Sequence, residues 1–176
     1  MATKGEVTLK GARADHLTAV IDKLEEAGAK IEQRQGKITF RRGRTIKPVD
    51  ITTLPYPGFP TDVQAQMMAL LTLSTGISII TERIFESRFT HAQELERLGA
   101  EISIEGPTAI VHGVQKLSGA ELMASDLRAS AALVIAGMVA KGTTRVNRIY
   151  HLDRGYEHID TKLRKLGGQV KRVPQS

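Results

Sequence analysis

Pro55-Tyr56-Pro57-Gly58-Phe59-Pro60-Thr61-Asp62 runs directly into Val63-Gln64-Ala65-Gln66-Met67-Met68-Ala69-Leu70-Leu71-Thr72-Leu73-Ser74-Thr75-Gly76. The junction between these two halves decides the fold. Three prolines in the first half keep it out of a helix, because each fixes φ and lacks an N–H donor. The second half reads as a helix over Asp62–Thr75, capped by Thr61 or Asp62 and stopped at Gly76. Its apolar residues, Val63, Ala65, Met67, Met68, Ala69, Leu70, Leu71 and Leu73, go nearly all the way round. Such a helix has no solvent face and belongs inside the molecule. Asp62 is then expected on a rigid loop at a helix start, beside Tyr56 and Phe59, where free N–H groups and the helix dipole favour a carboxylate. The plainer reading of Asp62 is a helix cap and nothing more.

Working outward, a second helix of the same kind is expected over Leu127–Ala140. It starts at Ser125-Asp126, ends at Lys141-Gly142, and is apolar on most faces. Three more helices are amphipathic or charged: Ala14–Ala27, Thr90–Leu98 and Tyr156–Leu166. Alternating or β-rich runs predict strands at 6–10, 29–33, 37–41, 77–81, 100–104, 108–112, 120–123, 143–148 and 169–173. Glu82–Phe89 and Tyr150–Gly155 read as loops.

The three charged helices end alike, at Leu24-Glu25-Glu26-Ala27-Gly28, Leu95-Glu96-Arg97-Leu98-Gly99 and Leu163-Arg164-Lys165-Leu166-Gly167. The two buried helices share the period. Asp62 corresponds to Asp126, Gly76 to Gly142, Arg83 to Arg148 and Arg88 to Arg154. The chain is therefore expected to be one domain of repeated units, about 6–47 (incomplete), 48–114 and 115–173. Repetition of this kind argues for pseudo-symmetric packing about a shared core. The first unit has no buried helix and no Asp-capped loop, so a three-fold arrangement lacks one corner and the chain reads as a piece of a larger protein.

At 176 residues with 41% hydrophobic content the chain suffices for one domain with a core. It holds no Cys and no Trp, which removes disulfides and thiolate metal sites. His91, His151, His158 and Asp153 lack ligand spacing on one helix, so no metal site is expected. The absence of an N-terminal apolar run and of a membrane-length apolar stretch fits a cytoplasmic protein with no membrane partner. A net charge of +6 permits anionic ligands, while an aromatic content of 4% argues against a base-stacking nucleic-acid surface.

The repeat sets Asp62 and Asp126 at equivalent helix starts, with Arg88 and Arg154 after the following strands and Arg128 one turn into the second helix. Pseudo-symmetry would gather these groups at one end. Arginine suits carboxylates and phosphates because its planar fork donates paired, charge-assisted hydrogen bonds. A plain salt-bridge set, such as Asp126 with Arg128 or Arg154, is the competing reading.

Four stretches carry a family resemblance: Pro55–Asp62, Ile84-Phe85-Glu86-Ser87-Arg88-Phe89, Ala124-Ser125-Asp126-Leu127-Arg128-Ala129-Ser130-Ala131, and Arg148-Ile149-Tyr150-His151-Leu152-Asp153-Arg154-Gly155-Tyr156-Glu157. Over Glu6 to Val173 the chain resembles the enolpyruvyl transferases, in the branch that uses UDP-N-acetylglucosamine. The resemblance implies an α/β (α+β) inside-out barrel of βαβαββ units, with helices inside and sheets outside, forming the C-terminal half of a two-domain transferase whose site lies between the domains. The implied reaction moves the enolpyruvyl group of phosphoenolpyruvate to the 3-hydroxyl of UDP-N-acetylglucosamine and releases phosphate, in peptidoglycan synthesis, with no cofactor or metal.

Carried over residue by residue, Asp62 would accept the hydroxyl proton and line the sugar-nucleotide site with Ile84. Arg154 would bind phosphoenolpyruvate. Arg88, Arg128 and Asp126 would complete a charged floor. The family's general acid, usually a Cys, belongs to the other domain, and its N-terminal strand with a Lys-Asn pair is absent here. The chain is therefore expected not to turn over alone, and its partner would be the missing N-terminal domain. Competing readings are a non-catalytic anion- or partner-binding module, a nucleic-acid binder disfavoured by the few aromatics, and a domain like the shikimate-phosphate enzyme, which shares the fold but not the proline loop in this form.

Overall fold

The computed structural model describes residues 1–3, 5–86 and 88–174. Ser87, within one of the quoted motifs, lies outside the described residues. Among the described residues the strands form three separate sheets. The first joins β1 (Glu6–Lys10), β2 (Lys30–Arg34) and β3 (Lys37–Arg41) in the order β1-β3-β2, with Leu9 opposite Ile38 and Gln33 opposite Ile38 from the other side. The second joins β4 (Ile51–Thr52), β5 (Ile77–Thr81), β6 (Glu101–Glu105) and β7 (Thr108–His112) in the order β4-β5-β7-β6. Its β4–β5 pair is parallel and the others antiparallel. The third is the parallel pair β8 (Glu121–Met123) and β9 (Arg145–Asn147).

Alternation sets the faces of the second sheet. Ser78 and Ile80 of β5, with Ala109 and Val111 of β7, are buried, whereas Ile77 and Ile79 point outward and are exposed. Against the inner face lies helix α2 (Gln64–Leu71), and helix α4 (Leu127–Val139) packs closely on α2 and beside β9. Met67, Met68, Leu70 and Leu71 of α2 meet Ala132, Leu133 and Ala136 of α4 in one core with Ile51, Ile80, Leu95, Leu98 and Leu122. The surface helices α1 (Thr18–Glu26) and α3 (Thr90–Arg97) each turn one apolar side to that core. Gly28 and Gly99, with φ of 96° and 91°, stop them in the left-handed region that glycine enters freely.

Several boundaries differ from the expectations. The helix expected over Asp62–Thr75 is a 3-10 turn at Thr61–Val63 followed by α2, which ends at Leu71. There the Thr72 hydroxyl donates to the Ala69 carbonyl, and the Ser74 hydroxyl donates to the Gly76 carbonyl, so hydroxyl groups compete with the helix ladder. A 3-10 turn at Ala14–His16 similarly precedes α1. The loop expected over Tyr150–Gly155 contains a short helix, α5 (Tyr150–Asp153). The helix expected from Tyr156 begins only at Ile159 as α6 (Ile159–Lys165), because His158 sits at φ 48°, outside helical geometry. No strand forms over Gln169–Val173. Instead Arg172 reaches back to Asp153, at 3.0 Å through Nη1, and to Asp160, at 3.0 Å through Nε, holding the tail on α5 and α6. Among the described residues no helix is long and apolar enough to cross a membrane.

Candidate functional site

The proline loop is pinned at both ends. Thr53 bridges to Phe59, the Leu54 N–H donates to the Phe59 carbonyl at 3.0 Å, and the Gly58 N–H donates to the Pro55 carbonyl at 2.8 Å. Phe59 is buried as the loop's anchor, while Tyr56 is 76% exposed. Tyr56, Pro60 and Asp62 then border an open cavity of about 320 Å³, closed on the other side by Leu17, Val20 and Ile84.

Asp62 does not cap its helix, contrary to the sequence expectation. It lies inside the 3-10 turn, where its carboxylate faces side chains rather than free N–H groups. Its Oδ1 accepts from Arg128 Nε at 2.5 Å and lies 3.8 Å from Arg88 Nη1. One carboxylate thus sits between guanidinium groups contributed by the loop after β5 and by the first turn of α4. Arg88 is additionally held by the Phe85 ring, 3.9 Å below its guanidinium carbon, and by Thr61, whose hydroxyl accepts from Nη1 at 3.0 Å.

Asp126 is the residue that does cap. Its Oδ1 accepts from the Arg128 and Ala129 N–H groups at 2.8 and 3.0 Å, which fixes the start of α4 and so the origin of the Arg128 side chain. In place of the competing salt-bridge set of Asp126 with Arg128 or Arg154, the Arg128 side chain pairs across to Asp62. The structure gathers Asp62, Ile84, Arg88, Asp126 and Arg128 at one end. Arg154 stands apart from their hydrogen bonds. It is exposed at the end of α5, without a hydrogen-bond or ion-pair partner among the described residues. Its neighbours are close to the same end: Gly155 packs on Leu127, and the Tyr156 hydroxyl accepts from Gln66 Nε2 at 3.1 Å. All three tyrosines, Tyr56, Tyr150 and Tyr156, belong to the proline loop or to this α5 segment. Among the described residues no group of three His, Cys, Asp or Glu side chains could hold a metal.

The burial of two ionisable side chains escaped the sequence reading. Glu82 is 0% exposed, and its Oε1 accepts from the Thr53 hydroxyl at 2.6 Å and from the Ile84 and Phe85 N–H groups at 2.8 and 3.1 Å. Its Oε2 accepts from the Thr61 hydroxyl at 2.9 Å. Burial pushes this carboxyl up, and the hydrogen bonds from Thr53, Ile84, Phe85 and Thr61 outweigh it, leaving the group below its ordinary value. His91, in the first turn of α3, is equally enclosed. Burial pushes its imidazole down to about 4 against the opposing pull of the Asp126 charge. For Glu82 the sequence offered only its place in the expected loop Glu82–Phe89.

Residues 1–163 match the family model described as EPSP synthase (3-phosphoshikimate 1-carboxyvinyltransferase). The chain belongs to the EPSP synthase family. Within the EPSP synthase family it is similar to proteins named UDP-N-acetylglucosamine 1-carboxyvinyltransferase. It is 57% identical over 171 residues to that of Desulfosudis oleivorans, covering 97% of this chain and 41% of the relative. It is 55% identical over 175 residues to UDP-N-acetylglucosamine 1-carboxyvinyltransferase 2 of Carboxydothermus hydrogenoformans, covering 98% and 42%. The chain thus spans about two fifths of the length of these relatives, in their C-terminal portion. Among solved structures it superposes on the enolpyruvyl transferase NikO of Streptomyces tendae with a TM-score of 0.86 at 28% identity, covering 94% of this chain and 40% of that one. It also superposes on EPSP synthase of Acinetobacter baumannii with a TM-score of 0.72 at 19% identity, covering 97% and 40%, a likeness of fold alone.

Proposed function

We propose that this chain supplies the charged half of an enolpyruvyl transfer site, in which the enolpyruvyl group of phosphoenolpyruvate passes to the 3-hydroxyl of UDP-N-acetylglucosamine and phosphate leaves, a step of peptidoglycan synthesis. The observation that carries this reading is the Asp62 carboxylate held between Arg88 and Arg128 at the rim of the cavity that Ile84 lines. An exposed carboxylate so placed accepts the proton of a bound hydroxyl as its oxygen bonds to C2 of phosphoenolpyruvate, while a proton reaches C3. Loss of that C3 proton with the phosphate then restores the double bond. Arg88, Arg128 and Arg154 neutralise the phosphate and carboxylate charges of phosphoenolpyruvate, and they stabilise the charge the phosphate gains as it leaves. Asp126 sets the start of α4 and hence the reach of Arg128. The group that protonates C3 comes from the remaining part of the enzyme, as do the other walls of the cleft.

The same reading makes the chain one inside-out barrel domain of three repeated units, with α2 and α4 as two of its buried helices. The names of the relatives at 54–57% identity favour UDP-N-acetylglucosamine over shikimate 3-phosphate as acceptor. An NMR titration of the chain with each acceptor and with phosphoenolpyruvate tests this. Resonances of Ile84, Arg88 and Arg128 are expected to move with UDP-N-acetylglucosamine and phosphoenolpyruvate. Movement with shikimate 3-phosphate and none with UDP-N-acetylglucosamine overturns the choice of acceptor.

A further inference from the structure

We propose that Glu82 is the positioning residue of this site: a buried carboxylate that clamps the proline loop to the segment carrying Ile84 and Arg88, and so sets where Asp62 stands. The inference rests on the reading of Asp62, Ile84 and Arg88 as ligand-facing groups. Glu82 holds four donors from two segments that are distant in sequence. Thr53 and Thr61 stand at the two ends of the proline loop, and Ile84 and Phe85 follow β5. Thr53 is itself shared, accepting from the Arg83 N–H at 2.9 Å. Thr61 passes the link onward, donating to Glu82 and accepting from Arg88, so carboxylate, hydroxyl and guanidinium form one chain that ends beside Asp62.

The chemistry of the clamp argues against a merely structural part. A carboxylate with no exposed surface and, among the described residues, no cation bonded to it is an expensive way to join two loops, since burying a charge costs more than burying a neutral amide. What the anion adds is acceptor capacity: both its oxygens are acceptors, so no donor of its own faces the Thr hydroxyls and N–H groups. The repeat supplies an internal control. In the register that pairs Arg83 with Arg148 and Asp62 with Asp126, Glu82 corresponds to Asn147 and Thr61 to Ser125. The Ser125 hydroxyl turns instead to Thr90 at 3.2 Å and to Asp126 at 3.4 Å, and the Asn147 side chain makes no hydrogen bond among the described residues. The junction after β9 is thus built without a carboxylate. The clamp is found at the one junction that presents an exposed Asp.

The test compares Glu82→Gln, Thr61→Val and, as a control for general destabilisation, Leu95→Ala, which empties core volume on α3 away from the loop. Each variant is titrated with UDP-N-acetylglucosamine by NMR and unfolded thermally. Glu82→Gln and Thr61→Val are expected to weaken binding at least tenfold and to move the Ile84 and Phe85 amide and Arg88 side-chain resonances in the absence of ligand. Leu95→Ala should lower the melting temperature without either effect. Native affinity in Glu82→Gln, or equal weakening by Leu95→Ala, overturns the proposal. If the unaltered chain binds no ligand, the functional reading fails and the ligand-free resonances decide: movement confined to Glu82→Gln and Thr61→Val upholds the clamp, and unmoved resonances overturn it.

Discussion

The side chain of Asp62 is 64% exposed although it pairs with Arg128 and approaches Arg88. Ion pairs this open to water contribute about 0–1 kcal/mol, so the cluster is poorly explained as a stability device. Asp62→Asn is therefore expected to change the unfolding free energy by less than about 1 kcal/mol while removing the UDP-N-acetylglucosamine response at Ile84 and Arg88. Thermal melts paired with NMR titration check both halves of that statement. His91 behaves oppositely. Its folded value is about 4 against 6.5 for the free group, so the unfolded chain binds its proton first as pH falls. The stability that neutral burial provides is complete above pH 6.5 and is lost on acidification toward 4. Between pH 6.5 and 5 this loss amounts to about 2 kcal/mol. Urea denaturation should show it, and His91→Leu should flatten the curve in that window. The placing of Asp62 and Arg88 at one end was foreshadowed by repetition, which matches them with Asp126 and Arg154, whereas Arg128 falls opposite Gln64 and has no counterpart. The burial of Glu82 and His91 was not foreshadowed, since it depends on Thr53, Thr61 and the α4 cap, which only folding brings near.

Among the elements, α2 and α4 were the most legible, because apolarity on all sides leaves a helix nowhere but the interior. Met68 of α2 is wholly buried between α4 and the second sheet. Met68→Ala should cost about 2–5 kcal/mol, whereas Glu96→Ala on the exposed side of α3 should stay within about 0.5 kcal/mol. Urea midpoints of the two variants measure the contrast. The misread segments share a cause. In α5, at the start of α6 and in the C-terminal tail, Arg172, Asp153, Asp160 and the left-handed His158 set the path. These are long-range ion pairs and a single backbone angle, and neither leaves a periodic trace. The two-residue strand β4 is likewise too short to alternate, and it exists through its parallel partner β5.

At the scale of the molecule, the chain spans about two fifths of its curated relatives, yet it carries a continuous core and a gathered set of charges. The functional reading then predicts a division of labour. Incubated alone with phosphoenolpyruvate and UDP-N-acetylglucosamine, the chain should release no phosphate above an enzyme-free blank, because it offers a proton acceptor and cation clamps without the group that protonates C3. Phosphate release by the chain alone would sink that division. The mixed α/β content was readable at this scale from two buried helices set among short strands. The separation of the strands into three sheets was not, since sheet edges are decided by neighbours far along the chain.

The placing of the tyrosines has an optical consequence. The chain contains no Trp and three Tyr, each on the proline loop or the α5 segment. Its near-ultraviolet emission is therefore dominated by the end of the molecule that holds Asp62 and Arg128, with no indole elsewhere to mask it. Tyr56, exposed beside Asp62, is a native fluorophore at the rim of the cavity, so ligand entry can be followed as a change in tyrosine emission on the unlabelled chain, and Tyr56→Phe identifies its share of the signal.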